Sequence, residues 1–455
     1  MSRLPLVVAL ALALPTAAQA TDLLQTYEMA RAGDPQLAAA ESDRLAQKEG
    51  AVQARGALLP QINGSASFSR IHNSRPGNLV DFNKDGIPDA DLGNSKSRSY
   101  GVTIDQSIFD WSNYTSLRGQ KALSKAADYD LEAANDDLIV RTSNAYFDVL
   151  VARENLAAAE ANETALKKQF DFAQARLDAG LAPITDLHEA RAGYDSARAS
   201  TILARNAQDD AYRALAEITG QPVTELKALP DDFRPQLPAE AGFEQWVNTA
   251  LEKNPTLKSV EYQVKSAEAG VSTARAGHYP SLGLRGSYSN GTSWDSYRGT
   301  LSSDDEGNTV GLTLSVPIFS GGVTQSRVRQ AIAQRDAAQD GYEQTKRALV
   351  RNTSNAYQAL VAGVSEVEAR RLALVSAKSA YDASQVGLEV GTRTVLDVLN
   401  NQRTLFAAQL DYATAKYNFL RSRLGLEQAA GTLDIDDVQE VNRMLTVDAP
   451  AVKSQ

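Results

Sequence analysis

Thr142-Ser143-Asn144-Ala145-Tyr146 is written again as Thr353-Ser354-Asn355-Ala356-Tyr357, 211 residues further on. Repetition at a fixed distance reveals the structural unit of a long chain, and the pairing extends in both directions. Toward the C-terminus, Ala179-Gly180 and Thr185-Asp186 correspond to Val390-Gly391 and Leu396-Asp397. Toward the N-terminus, Ser107-Ile108-Phe109 matches Pro317-Ile318-Phe319. Farther back, Leu59-Pro60-Gln61-Ile62 matches Tyr279-Pro280-Ser281-Leu282, and Asp34-Pro35 matches Asn254-Pro255. There the distance is 220, so the first copy carries the longer loop. The chain reads as two copies of one unit, 22–220 and 242–440. Between them, 221–241 holds Pro222, Pro230, Pro235 and Pro238, which cannot continue a helix. It is expected to be a linker or equatorial belt, and 441–455 a flexible tail.

Each copy reads helix, strand, strand, very long helix, turn, helix. In the first strand pair, Ile62, Gly64, Ala66 and Phe68 alternate with Asn63, Ser65, Ser67 and Ser69. Tyr100, Val102, Ile104 and Ile108 alternate with Gly101, Thr103, Asp105 and Ser107. In the second pair, Leu282, Leu284, Gly286 and Tyr288 form one face, and Val310, Leu312, Leu314, Val316 and Ile318 another. Apolar residues alternating with small or polar ones suit a transmembrane barrel strand or a soluble sheet with one wet face. The helices separate these readings. From Ser112 to Ala179 there is no proline, a length of roughly 100 Å at ~1.5 Å per residue. Val323 to Gly387 is the matching run. Leu131, Leu138, Ala145, Ala152, Ala159 and Leu166 recur every seven residues, and Tyr342, Leu349, Ala356 and Gly363 take the equivalent places. A seven-residue seam specifies coiled-coil packing.

Residues 1–20 read as a secretory signal peptide: Arg3, the apolar run Leu4 to Leu14, then Ala18-Gln19-Ala20. There is no cysteine, which fits an exported protein and excludes a lipid-anchoring cysteine at Thr21. The net charge of −10 leaves no basic footprint for nucleic acid. No later stretch has the apolar length of a membrane helix, so a membrane could be entered only as a closed β-barrel. Four strands cannot close one, and the protomer must associate. Ring symmetry is the natural closure. Two copies would give eight strands and an interior filled by side chains; three copies, with twelve strands, better suit a duct.

The residues resemble the TolC family of outer-membrane efflux proteins over nearly all of the mature chain. The likeness rests on the duplicated layout and on Leu58-Leu59-Pro60-Gln61, Gln106 to Asp110, Asn144 to Phe147, Gly180 to Asp186 (GLAPITD), Val316 to Phe319 followed by Gly321-Gly322, and Gly391 to Leu399 (GTRTVLDVL). The resemblance implies an α+β membrane protein: a homotrimeric, twelve-stranded outer-membrane β-barrel, four strands per protomer, continuous with an α-helical coiled-coil barrel across the periplasm. It implies an exit duct without catalytic chemistry. Such a duct docks with a periplasmic adaptor and an inner-membrane pump, of the RND or ABC type, and passes drugs or unfolded polypeptides outward.

The same resemblance locates the functional residues at the two helical turns, the periplasmic mouth. Asp397 aligns with an aspartate that rings the narrowest point in three copies, and Asn400 stands where the family often has a second. Convergent carboxylates concentrate cations, and their repulsion is expected to raise their pKa values. Thr185, Asp186 and Arg393 match the positions that latch the closed mouth; Leu388 replaces a tyrosine that family members can supply. Gly180, Leu181, Val390, Gly391 and Thr392 match the adaptor contacts.

Other signals weaken on inspection. Asp81, Asn83, Asp85, Gly86 and Asp89 have calcium-loop spacing, yet position 12 is Leu92, so the bidentate carboxylate is missing. An acidic surface loop is the better reading, and no cofactor is expected. His72, His188 and His278 lack metal-ligand spacing, and no hydrolase elbow or phosphate-cradling loop is present. A pore-free periplasmic scaffold would leave the alternating strands unexplained, and an exported enzyme has no site to name.

Overall fold

In the computed structural model, residues 21–71, 95–237, 242–295 and 302–448 are described. The signal segment 1–20, the acidic loop with Asp81, Asn83, Asp85 and Asp89, His72 and Pro238 lie outside them. The elements are α1 (Leu23–Gly33), α2 (Pro35–Gly56), β1 (Gln61–Ile71), β2 (Ser95–Phe109), α3 (Trp111–Asp178), α4 (Ile184–Thr219) and β3 (Lys227–Ala228). They continue as α5 (Phe243–Lys253), α6 (Pro255–Ala276), β4 (Ser281–Asp295), β5 (Ser302–Ser315), α7 (Val323–Glu389), α8 (Val395–Ala430), α9 (Ile435–Met444) and β6 (Val447–Asp448). The order helix, helix, strand, strand, long helix, helix occurs twice. The long helices, 68 and 67 residues, match the two proline-free runs.

The repeated junctions have local causes. α1 stops at Asp34 and α2 starts at Pro35, while α5 stops at Asn254 and α6 starts at Pro255. Proline suits the first helical position because its missing N–H would be unpaired there anyway. The preceding side chain caps the new helix in both copies. Leu37 N–H donates to Asp34 Oδ2 at 3.2 Å, and Leu257 N–H to Asn254 Oδ1 at 3.0 Å. The copies differ in charge, since Asp34 is also paired with Arg141 at 2.6 Å.

The chain forms two compact units, each drawn from both copies. The first comprises the described parts of Met1–Glu41, Asp130–Leu257 and Lys346–Gln455; the second comprises those of Ser42–Tyr129 and Lys258–Thr345. In the first unit, Tyr146, Phe147, Leu150, Tyr417, Phe419 and Leu420 are fully buried. Phe147 stacks on Tyr417 with centroids 5.8 Å apart, which packs α3 against α8. The Pro-rich segment is built into this core. Leu226 is fully buried, Val223, Leu229 and Phe233 nearly so, and Lys227 and Ala228 pair with β6. Tyr146 fastens it: Lys227 N–H donates to the phenol oxygen, and the phenol donates to the Lys227 carbonyl, both at 2.8 Å.

The expected flexible tail from 441 is corrected over its first part. Val441 is fully buried on α9, Leu445 nearly so, and Val447 and Asp448 form β6. The signal was the pair Asp434 and Asp437, which close a capping box at the start of α9, with apolar residues at Val438, Val441 and Leu445.

Asp136 on α3 lies nearly buried in the same unit. Burial, then the neighbouring Glu132, pushes its carboxyl up to about 7. A folded-state pKa above the unfolded value of about 3.9 gives stability that is full below that value and is lost as pH rises through 7. Asp136→Asn is therefore expected to match the native protein in melting temperature near pH 4 and to exceed it at pH 8. Equal melting temperatures at both pH values would show that the carboxyl is not desolvated.

The second unit carries an antiparallel sheet of order β1-β2-β4-β5. Its register places Ile62, Ile104, Gly286 and Val310 side by side, and next to them Gly64, Val102 and Tyr288. Opposed residues share a face, and Phe68, Tyr100, Leu282, Leu284, Leu312 and Leu314 extend this one. The other face is Asn63, Ser65, Ser67, Ser99, Thr103, Ser287, Ser289 and Thr309, crossed by an Asp105–Arg285 ion pair at 2.5 Å. One expected position changes. The register shifts between Ser107 and Phe109, and Phe109 pairs with Leu282. The extra residue moves Phe109, rather than Ile108, onto the apolar face. Val310, Leu312 and Leu314 are 80%, 66% and 65% exposed.

In the same unit α3 packs on α6: Gly119 approaches Ala269, Thr273 donates to Thr115 at 2.8 Å, and Tyr129 stacks on Tyr262. Among the described residues no helix is long and apolar enough to cross a membrane.

Candidate functional site

The two helix–turn–helix tips belong to the first unit and are built alike. α3 ends where the Leu181 N–H reaches the Arg176 carbonyl at 2.8 Å and the Gly180 N–H reaches Leu177 at 2.9 Å. α7 ends where the Thr392 N–H reaches Gly387 at 2.8 Å and the Gly391 N–H reaches Leu388 at 3.2 Å. This double closure is a Schellman motif. It requires a left-handed residue, and Gly180 and Gly391 have φ of 69° and 77°. Around both glycines a Cβ would meet open space. Strain, not crowding, keeps side chains out. Leu181, Ile184, Leu388, Val390 and Leu396 are exposed around the turns. Bare backbone and isolated apolar side chains face outward together.

The following helices start differently. α4 starts after Pro183, which offers no side-chain cap. α8 starts after Thr394, whose N–H and hydroxyl each donate to Asp397 Oδ2 at 2.9 Å. The Asp397 N–H returns to the Thr394 hydroxyl at 3.2 Å, completing a capping box. These two donors, helped by Arg393, hold the Asp397 carboxyl below the usual carboxylate range. The rise expected from a ring of carboxylates needs the carboxylates of neighbouring copies; within one chain the local donors act alone. Asn400 is exposed one turn on. Thr185 approaches Asp186 at 3.5 Å. Among the described residues no ion pair joins Arg393 to Asp186, and the structure does not bring Thr185, Asp186 and Arg393 together within the chain. Nor do the described residues hold a cluster of metal-ligating side chains.

The sequence pattern of the outer membrane efflux protein family matches residues 26–221 and 246–432, one block for each copy. The chain belongs to this family. It is 34% identical to the outer membrane protein TolC of Vibrio cholerae, over 98% of both chains. It is 29% identical to the alkaline protease secretion protein AprF of Pseudomonas aeruginosa, over 93% of this chain and 87% of that one. The solved Campylobacter jejuni CmeC outer membrane channel superposes with a TM-score of 0.74 at 20% identity, covering 96% and 95%. This outer membrane efflux protein is thus a channel protein of the Gram-negative outer membrane, with the α+β channel fold.

Within that fold, sequence reasoning missed two residues. Thr394 is one; a threonine three residues before an acidic residue at a helix start was a readable signal. Tyr146 is the other. Its copy Tyr357 is only half-buried, so the repeat gave no hint that one of the two fastens the belt.

Proposed function

We propose that three copies of this chain close a twelve-stranded barrel in the outer membrane, with their long helices forming a conduit into the periplasm. The observation that carries this is the sheet: among the described residues its β1 and β5 edges are unpaired, and one face carries a band of exposed apolar side chains from Ile62 across to Val310, Leu312 and Leu314. An open edge is not tolerated in lipid, and an exposed apolar face this large marks a membrane or partner surface. Val361, Leu372, Val375 and Val386 on α7, and Ile202 and Leu203 on α4, are also exposed and would be covered by neighbouring copies. Purified protein is expected to cross-link to a three-chain species and to conduct ions across planar bilayers. A cross-linking ladder ending at two chains, or no conductance, would overturn the assembly.

In this reading the tips form the periplasmic mouth. Asp397 supplies a ring of three carboxylates, joined one turn on by the neutral Asn400, where their mutual repulsion acts against the local hydrogen bonds. Arg393 links to Thr185 and Asp186 across helix pairs, with Leu388 adding no polar link. Charged hydrogen bonds of this kind contribute about 1.5–3 kcal/mol. Arg393→Ala is expected to raise resting single-channel conductance severalfold; unchanged conductance would remove Arg393 from the latch. An adaptor docks at Gly180, Leu181, Val390, Gly391 and Thr392, where backbone and apolar side chains are open. The conduit receives drugs or unfolded polypeptides from an inner-membrane pump, RND or ABC type, and the secretion relative supports the polypeptide branch.

A further inference from the structure

The duplication placed the same acidic residue twice at the third helical position after a tip, Asp186 on α4 and Asp397 on α8. The caps differ. Pro183 has neither an N–H nor a hydroxyl, so Asp186 receives neither of the hydrogen bonds that Asp397 receives. Among the described residues, the Asp186 carboxylate has the long 3.5 Å approach of Thr185, whereas Asp397 is held on two donors of Thr394 at 2.9 Å. Arg393 lies next to Thr394 in sequence and is close enough to Asp397 to act on its carboxyl.

We propose that Thr394 is a positioning residue for the gate: it fixes the Asp397 carboxylate on the first turn of α8 and thereby leaves Arg393 for the uncapped Asp186. The proposal rests on the reading of Asp397 as the ring and Arg393 as the latch. Three free aspartates converging on one axis would swing apart under their repulsion, and the nearest cation each could find is Arg393. That single movement would weaken the ring and open the latch. Two hydrogen bonds from one residue prevent it, and the proline in the other copy keeps Asp186 mobile enough to cross to a neighbouring helix pair. The copies have divided one inherited carboxylate into a fixed charge and a movable one, through the residue at the cap.

The test uses the full-length protein in planar bilayers, with lanthanum chloride added on the periplasmic side. Native channels are expected to be blocked, and Asp397→Asn channels not. Thr394→Ala is expected to raise the half-blocking concentration about tenfold by removing the hydroxyl's charge-assisted hydrogen bond to Asp397, the main-chain N–H still donating, and Thr394→Ser to restore it within about twofold. Pro183→Thr, which gives Asp186 a cap of its own, is expected to raise resting conductance as Arg393→Ala does. Block persisting in Asp397→Asn would overturn the ring itself. Block lost in Asp397→Asn but unchanged in Thr394→Ala would overturn the role of Thr394 while leaving the ring intact. If Thr394→Ala merely loosens the tip, the serine variant still decides, since a hydroxyl that fails to restore block cannot be the agent.

Discussion

Leu312→Arg is expected to remove most of the protein from the outer membrane. Leu312 lies on the apolar face of β5, opposite Leu284 and two residues from Val310 and Leu314. An arginine facing lipid at mid-depth costs about 2–4 kcal/mol per strand, and a ring assembly repeats the cost in every copy. Thr309 sits on the same strand three residues away and lies on the polar face with Ser287 and Thr103. Thr309→Arg is therefore the matched control, expected to fractionate with the outer membrane as the native protein does. Membrane fractionation of the two variants reads the face directly. Equal loss of both would mean that the sheet has no lipid side.

Tyr146→Ala is expected to be the most destabilising single change in the helical unit. The ring is fully buried, edge-on to Phe147 at 6.1 Å, and its hydroxyl pairs with both main-chain groups of Lys227 and lies 3.2 Å from the Thr21 carbonyl. Removing a buried aromatic costs about 3–5 kcal/mol. Tyr146→Phe keeps the packing but leaves the Lys227 groups unpaired, at about 1–3 kcal/mol. The order of melting temperatures should be native, then Phe, then Ala, with Tyr357→Ala nearest to native. A Phe variant as stable as native would show that the belt is not held by the phenol.

Tyr146 and Tyr357 show where sequence stops being informative. The periodicity that placed both on long helices is a local property: apolar residues every seven positions and no proline. It gave the lengths of α3 and α7 almost to the residue. The tip turns were readable for the same reason, since a glycine followed shortly by a helix start is a local signal. What surrounds a side chain is set by segments far away in the chain. Thr21, Lys227 and Tyr417 decide that Tyr146 is sealed, and none of them stands near it in sequence. Asp136 is similar, an acidic residue between Asn135 and Asp137 that reads as a wet surface until α1 and the start of α9 are folded beside it. The place of Asp397 in the first turn of a helix after a glycine turn was legible. The local hold of Thr394 on its carboxylate was not noticed, although the threonine stands only three residues before it.

The unpaired edges of the sheet bear on how a cell makes this protein. Among the described residues β1 and β5 leave two edges open, so in the proposed ring membrane insertion waits on encounters between chains and its rate should fall steeply with dilution. Mixed populations follow the same logic. In a cell making native and edge-damaged chains together, one damaged member is enough to leave a ring open. A minority of faulty chains would then poison most assemblies, and such alleles would behave as dominant.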